Sequence, residues 1–167
     1  MQILAAWFKK NAPFVWAAAG ILLLDRATKV WALLQLTQHP VELFPFFHLR
    51  YVENTGMAFG MFQNANGFLA VVMIAIIGYI VYSWKELASY GKISQWSGTF
   101  ILAGAIGNLY DRITLGFVVD FLDFRVWPVF NVADSFSTMR SADWSIRLCS
   151  YALSLMRIFW LAMFFPP

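Results

Sequence analysis

The chain is poor in charge and in cysteine, and each shortage excludes a class of protein. Only 13% of its 167 residues are charged, whereas 60% are hydrophobic. A soluble domain carries about 25% charged residues, so the composition excludes a water-soluble globule and points to a polytopic membrane protein. Mean hydropathy, +0.63, agrees. A single cysteine, Cys149, excludes an internal disulfide framework and a cysteine-based zinc cluster. It reads as a small buried or lipid-facing hydrophobe. The two histidines, His39 and His48, do not stand at metal-ligand spacing on a helix. A histidine-rich metal site is not expected. The net charge of +3 is small, and its basic residues flank apolar stretches. That is a topology signal, with no nucleic-acid partner implied. With no repeat, low-complexity tract or flexible linker, residues 1–167 read as one membrane-embedded domain.

What is abundant is apolar and aromatic. Aromatics make up 19% of the chain, with eight Trp, as befits a protein with much surface at membrane–water interfaces. Four stretches predict four transmembrane helices. The first runs from residues 12–24 through a polar cluster to Leu34, the second covers 68–84, the third covers 96–110, and the last begins near Val132. The basic start of the first resembles a cleaved signal peptide, but no small-residue cleavage site follows it. Lys9, Lys10, Lys85 and Lys92 fall on one side, which the positive-inside rule makes cytoplasmic. Residues 36–67 and 115–131 then lie outside. Arg26, Lys29, Arg50, Arg112 and Arg125 also fall outside, but among Asp25, Glu53, Asp111, Asp120 and Asp123, so they read as parts of a polar site. Residues 46–52 have strand composition, and Asn54-Thr55-Gly56 follows as a turn signal. A small β element along the outer membrane surface is expected there.

Ionisable groups at membrane depth are costly, so their clusters are where function is sought. Asp25 and Lys29 stand four apart, acid first, a favourable helical ion pair. They either neutralise one another at a helix end or position a substrate carbonyl. Asn54 is either a turn residue or part of a site, and Gly56 lets backbone approach a bound chain. Asn108 and Arg112 share one face at the end of the third span. Asn131 is a good helix N-cap, and Asp134 three residues later completes a capping-box-like arrangement. That role does not exclude chemistry, because the helix dipole favours an ionised Asp134. Asp120 sits in the apolar run Val118-Val119-Asp120-Phe121-Leu122, where desolvation favours the protonated acid. An ionised carboxylate that activates water, beside a protonated one that polarises a carbonyl, is what acid–base hydrolysis needs. Spacing alone leaves open whether the two side chains meet.

These segments, taken in order, resemble the motifs of lipoprotein signal peptidase, also called signal peptidase II. They are Asp25-Arg26-Ala27-Thr28-Lys29, Asn54-Thr55-Gly56-Met57-Ala58-Phe59-Gly60, Gly107-Asn108-Leu109-Tyr110-Asp111-Arg112 with Val118-Val119-Asp120-Phe121, and Phe130-Asn131-Val132-Ala133-Asp134-Ser135. The resemblance implies an all-α, four-helix protein of the bacterial inner membrane with a small periplasmic β-cradle. It implies an aspartyl peptidase that removes the signal peptide of a diacylglyceryl-modified prolipoprotein just before the lipidated cysteine. Asp120 and Asp134 match the catalytic pair. Asp25, Lys29, Asn54, Gly56, Asn108, Arg112 and Asn131 match positions that line or support the site. The partners implied are the prolipoprotein and membrane lipids, with neither a metal nor a cofactor.

After Ser135 the pattern departs. Residues 136–167 carry Arg140, Asp143, Arg147 and Arg157 where an apolar span is expected, and each charge at helix-centre depth costs about 2.5–3.5 kcal/mol. Either the tail is a replaced or frame-altered C-terminus, or it is a variant whose charges face a polar interior. Two other functions fit the composition. A small transporter or channel subunit would place polar groups mid-membrane, whereas here they cluster at span ends. A non-catalytic protein on the same scaffold would keep the motifs without activity.

Overall fold

The computed structural model describes residues 2–56 and 62–139. Cys149 and most of the atypical tail, from residue 140, lie outside the described residues. The first helix, α1, spans Gln2–Gln35 and continues through the polar cluster. Strands β1 (Val41–Phe44) and β2 (Phe47–Asn54) follow, then α2 (Asn66–Tyr82), the short α3 (Trp84–Ser89) and α4 (Lys92–Thr114). Strand β3 (Val118–Asp123) and α5 (Val132–Met139) complete the order. The expected third span is therefore longer at both ends than residues 96–110.

Hydrogen bonds tie the elements into an antiparallel bundle. At one end the Asn66 amide donates to the Arg112 carbonyl, joining the start of α2 to the end of α4. At the other, the Trp84 indole N–H donates to Asn11 on α1. Lys9, Lys10, Lys85 and Lys92 lie toward this second end, as their sequence positions predict. An apolar cavity of about 1010 Å³ opens there, lined by Phe14, Ala18, Trp84 and Leu102 among others. Among the described residues no helix is both long and apolar enough to cross a membrane. α2 is uncharged and largely apolar but has 17 residues, while α1 and α4 are longer and carry charges.

The β element is larger than residues 46–52. It is a three-stranded antiparallel sheet in the order β1-β2-β3, and its third strand carries Asp120. Val119 and Phe121 of β3 pack with Ala32 of α1 and Leu36 just beyond its end, pinning the sheet to the end of the bundle. Chain reversal from α4 into β3 passes through Gly116 at φ 86°, a left-handed conformation that glycine adopts without a Cβ clash.

α4 is closely approached at two glycines, by α1 at Gly107 and by α5 at Gly104. A Cβ at Gly107 would stand 2.6 Å from Asp25 Oδ2, and one at Gly104 would stand 2.6 Å from the Ala133 carbonyl and collide with the Ser137 hydroxyl. Gly78 on α2 has open space. Gly104→Ala and Gly107→Ala are therefore expected to cost about 1–3 kcal/mol through overpacking. Gly78→Ala should be neutral or stabilising. Thermal unfolding in detergent checks this, with equal midpoints for all three as the contrary result.

Candidate active site

A buried ion cluster forms the floor of the site. The Lys29 ammonium donates to Asp25 Oδ2 at 2.8 Å, to Asp111 Oδ2 at 2.9 Å and to Asn108 Oδ1 at 2.8 Å. Arg26 reaches the other oxygen of Asp111 at 2.5 Å. Two cations thus balance two carboxylates, and the three N–H bonds of Lys29 are all used. Buried pairs of this kind are weak evidence for stability, but removing one partner costs roughly 3–5 kcal/mol because a charge is left unpaired.

Both carboxylates of this cluster also reach a neighbouring backbone. Asp25 Oδ1 accepts the Ala133 N–H at 3.0 Å, and Asp111 Oδ2 accepts the Val119 N–H at 3.3 Å. Those two residues immediately precede Asp134 and Asp120.

Asp120 lies on β3, opposite Val52. Asn54 is opposite Val118, and in an antiparallel pair its side chain projects to the same face as Asp120. Its Nδ2 donates to Asp120 Oδ2 at 2.8 Å. Asn131 Nδ2 donates to Asp120 Oδ1 at 2.7 Å. Asp134 sits in the first turn of α5 and forms the expected capping box. Its backbone N–H donates to Asn131 Oδ1 at 3.0 Å, and the Asn131 N–H donates to Asp134 Oδ2 at 3.2 Å. Asn108 Nδ2 donates to Asp134 Oδ1 at 2.8 Å. One residue, Asn131, therefore bonds to both aspartates and brings them to one site.

The orientation of each amide follows from what its oxygen accepts. Asn108 Oδ1 accepts from Lys29 and from Asn131 Nδ2. Asn131 Oδ1 accepts the Asp134 N–H, and Asn54 Oδ1 accepts the Gly56 N–H at 3.0 Å. None of these donors can act as an acceptor, so each NH₂ group must face a carboxylate. Gly56 is held from its other side, where its carbonyl accepts from Arg112 at 2.6 Å. Arg112 also donates to Asn66 at 3.1 Å, while its buried Nε has no partner among the described residues.

Burial pushes the Asp120 carboxyl well above the usual carboxylate range, and the nearby Asp134 charge adds to this. At the sheet edge Asp123 behaves oppositely. Burial would raise it, but the Arg125 N–H and the Arg50 guanidinium, 2.6 Å away, hold it below its usual value. A proton-holding acid beside a second carboxyl suits water activation on one side and carbonyl polarisation on the other.

All nine site residues singled out from the sequence fall in this one network. Arg26 and Asp111, read from the sequence only as parts of a polar site, also join it, as does Asn66, which was not singled out. Asp111 had a local signal, since it follows Asn108 by three residues and so shares its helix face. Among the described residues there is no cluster of metal-ligating side chains.

Comparison with known proteins gives a consistent result. The family model for signal peptidase II matches residues 17–157. A lipoprotein signal peptidase of Caldanaerobacter subterraneus subsp. tengcongensis is 46% identical over 122 residues, covering 71% of this chain and 83% of the relative. One from Aeromonas hydrophila is 40% identical over 141 residues, covering 77% and 83%. A bacterial membrane enzyme solved in meso at 2.3 Å superposes with a TM-score of 0.74 at 27% identity, covering 89% of this chain and 90% of that one.

Proposed function

The chain belongs to the signal peptidase II family, and from that premise we propose that Asp120 and Asp134 are the residues with which it cleaves. As a member it is a membrane-located peptidase that removes signal peptides from prolipoproteins. The observation that carries the assignment of the pair is their common attachment to Asn131, with every neighbouring amide turned to donate to them. Asp134, at a helix N-terminus, is the ionised partner that takes a proton from water. Asp120, buried and raised, is the acid that polarises the scissile carbonyl.

The finer placement rests on chemistry. A diacylglyceryl-modified chain stays in the bilayer, so the carboxylates must meet it at the membrane surface, and cleavage falls just before the lipidated cysteine. We place α1, α2 and α4 across the bacterial inner membrane, with the sheet on the periplasmic face; the expected fourth span lies largely outside the described residues. α1 and α4 are about 50 and 35 Å long at 1.5 Å per residue, enough for a hydrocarbon core of about 30 Å. Their charges at the sheet end are paired, which lowers the insertion cost. Aromatics on the sheet, including the exposed Phe44–Phe46 stack and Phe47 against Phe124, suit the interface and a platform for the bound chain.

Purified protein mixed with a diacylglyceryl-modified prolipoprotein is expected to release the signal peptide and leave a chain beginning at the lipidated cysteine, as read by mass spectrometry. An uncleaved substrate would favour the non-catalytic reading of this scaffold.

A further inference from the structure

We propose that Lys29 is the positioning residue that sets the two aspartates relative to one another. The inference rests on the assignment of Asp120 and Asp134 above and deepens it. Lys29 touches neither carboxylate of the pair by hydrogen bond. It reaches them through three arms. Through Asp111 it holds the Val119 N–H, one residue before Asp120. Through Asp25 it holds the Ala133 N–H, one residue before Asp134. Through Asn108 it fixes the amide that donates to Asp134 itself.

The arms join elements that are otherwise distant in sequence: α1, α4, β3 and α5. An ammonium has three donors in tetrahedral directions and no acceptor, so it can satisfy three acceptors from three directions at once. A neutral side chain of the same length leaves Asp25 without its cation and Asp111 with Arg26 alone. Asn108 Oδ1 would also lose one of its two donors and keep the Asn131 amide alone. A guanidinium keeps the charge but donates in a flat fork, which does not match this arrangement.

The charged and titratable groups around Lys29 come from each packed element. α1 supplies Asp25 and Arg26, and α4 supplies Asp111 and Arg112. Asp120 comes from β3 and Asp134 from α5, while Tyr51 on β2 lies within reach of the Asp111 charge. Lys29 is the buried cation that bonds both carboxylates of the floor.

The test is the pH profile of single-turnover cleavage for the parent chain, Lys29→Met and Lys29→Arg. Two strongly coupled carboxyls give two limbs set well apart. Loosening the pair weakens the coupling, so in Lys29→Met the limbs should move toward each other by about one pH unit or more, with a lower maximum. A role in folding alone lowers the maximum and leaves the limbs in place. Lys29→Arg keeps the cluster neutral, so it should fold even where Lys29→Met does not, and it should show the same narrowing. Amide hydrogen exchange gives a readout independent of activity: Val119 and Ala133 should exchange faster in either variant. Parent-like limbs in a folded variant would overturn the proposal. A parent chain that does not cleave, with faster exchange in the variants, would instead overturn the catalytic assignment and leave the clamp intact.

Discussion

Asp120→Asn and Asp134→Asn should each reduce the cleavage rate by about 10²–10⁴-fold, the usual contribution of a positioned acid or base. The local geometry makes the loss severe at both positions. Each oxygen of Asp120 accepts an amide N–H, from Asn131 and from Asn54. An asparagine there must set its own NH₂ against another donor. The same holds at position 134, where Asn108 and the Asn131 backbone supply the donors. These variants therefore lose the titrating group and also disturb its neighbours, and thermal unfolding has to be measured beside activity. Residues that act as a unit are non-additive, so the double variant should be about as slow as the slower single one. Additive losses would mean that the two aspartates act in separate steps.

Asn131→Ala should give the second-largest effect. The change removes the amide donor to Asp120 and to Asn108, and the oxygen that accepts the Asp134 N–H. A hydrogen bond to a charged group is worth about 1.5–3 kcal/mol, and each 1.36 kcal/mol is tenfold in rate. A loss of roughly 10–100-fold in cleavage follows if one such bond is realised in the transition state. Loss of the N-cap costs a further ~1 kcal/mol of stability at α5. Asn131→Asp keeps the cap, but brings a third carboxyl beside two others and should be no better than alanine. Cleavage rate and thermal midpoint, measured together, separate the two contributions. A fully active Asn131→Ala would show that the aspartates are held by something other than this amide.

Much of the site was legible because its signals are local. The i,i+4 spacing of Asp25 and Lys29 and the Asn131–Asp134 capping box each depend on a few adjacent residues, and both form. The apolar flanks of Asp120 point correctly to a buried, raised carboxyl. What escaped is long-range. Arg26 and Asp111 lie 85 residues apart, and no periodicity links them. Strand β3 was read only as an apolar run, because its residues are covered on both faces and show no alternation. β1 was missed for the opposite reason, since all four of its residues are exposed and it carries no buried stripe. The first span was recognisable despite its charges only by treating Asp25–Lys29 as paired, and the structure supplies the partners from α4.

The central claim is that one carboxyl works ionised while Asp120 keeps its proton, and the pH dependence of cleavage by the unsubstituted chain tests it most directly. As pH rises from strong acid, the rate should climb when the first carboxyl of the pair loses its proton. It should then fall as pH passes through the raised pKa of Asp120, because the acid that polarises the carbonyl has been spent. The descending limb should lie above the ordinary aspartate value of roughly 3.9 and vanish with the residual rate in Asp120→Asn. A rate that keeps rising into alkaline solution, with no descending limb, would contradict the assignment of Asp120 as the proton-holding acid.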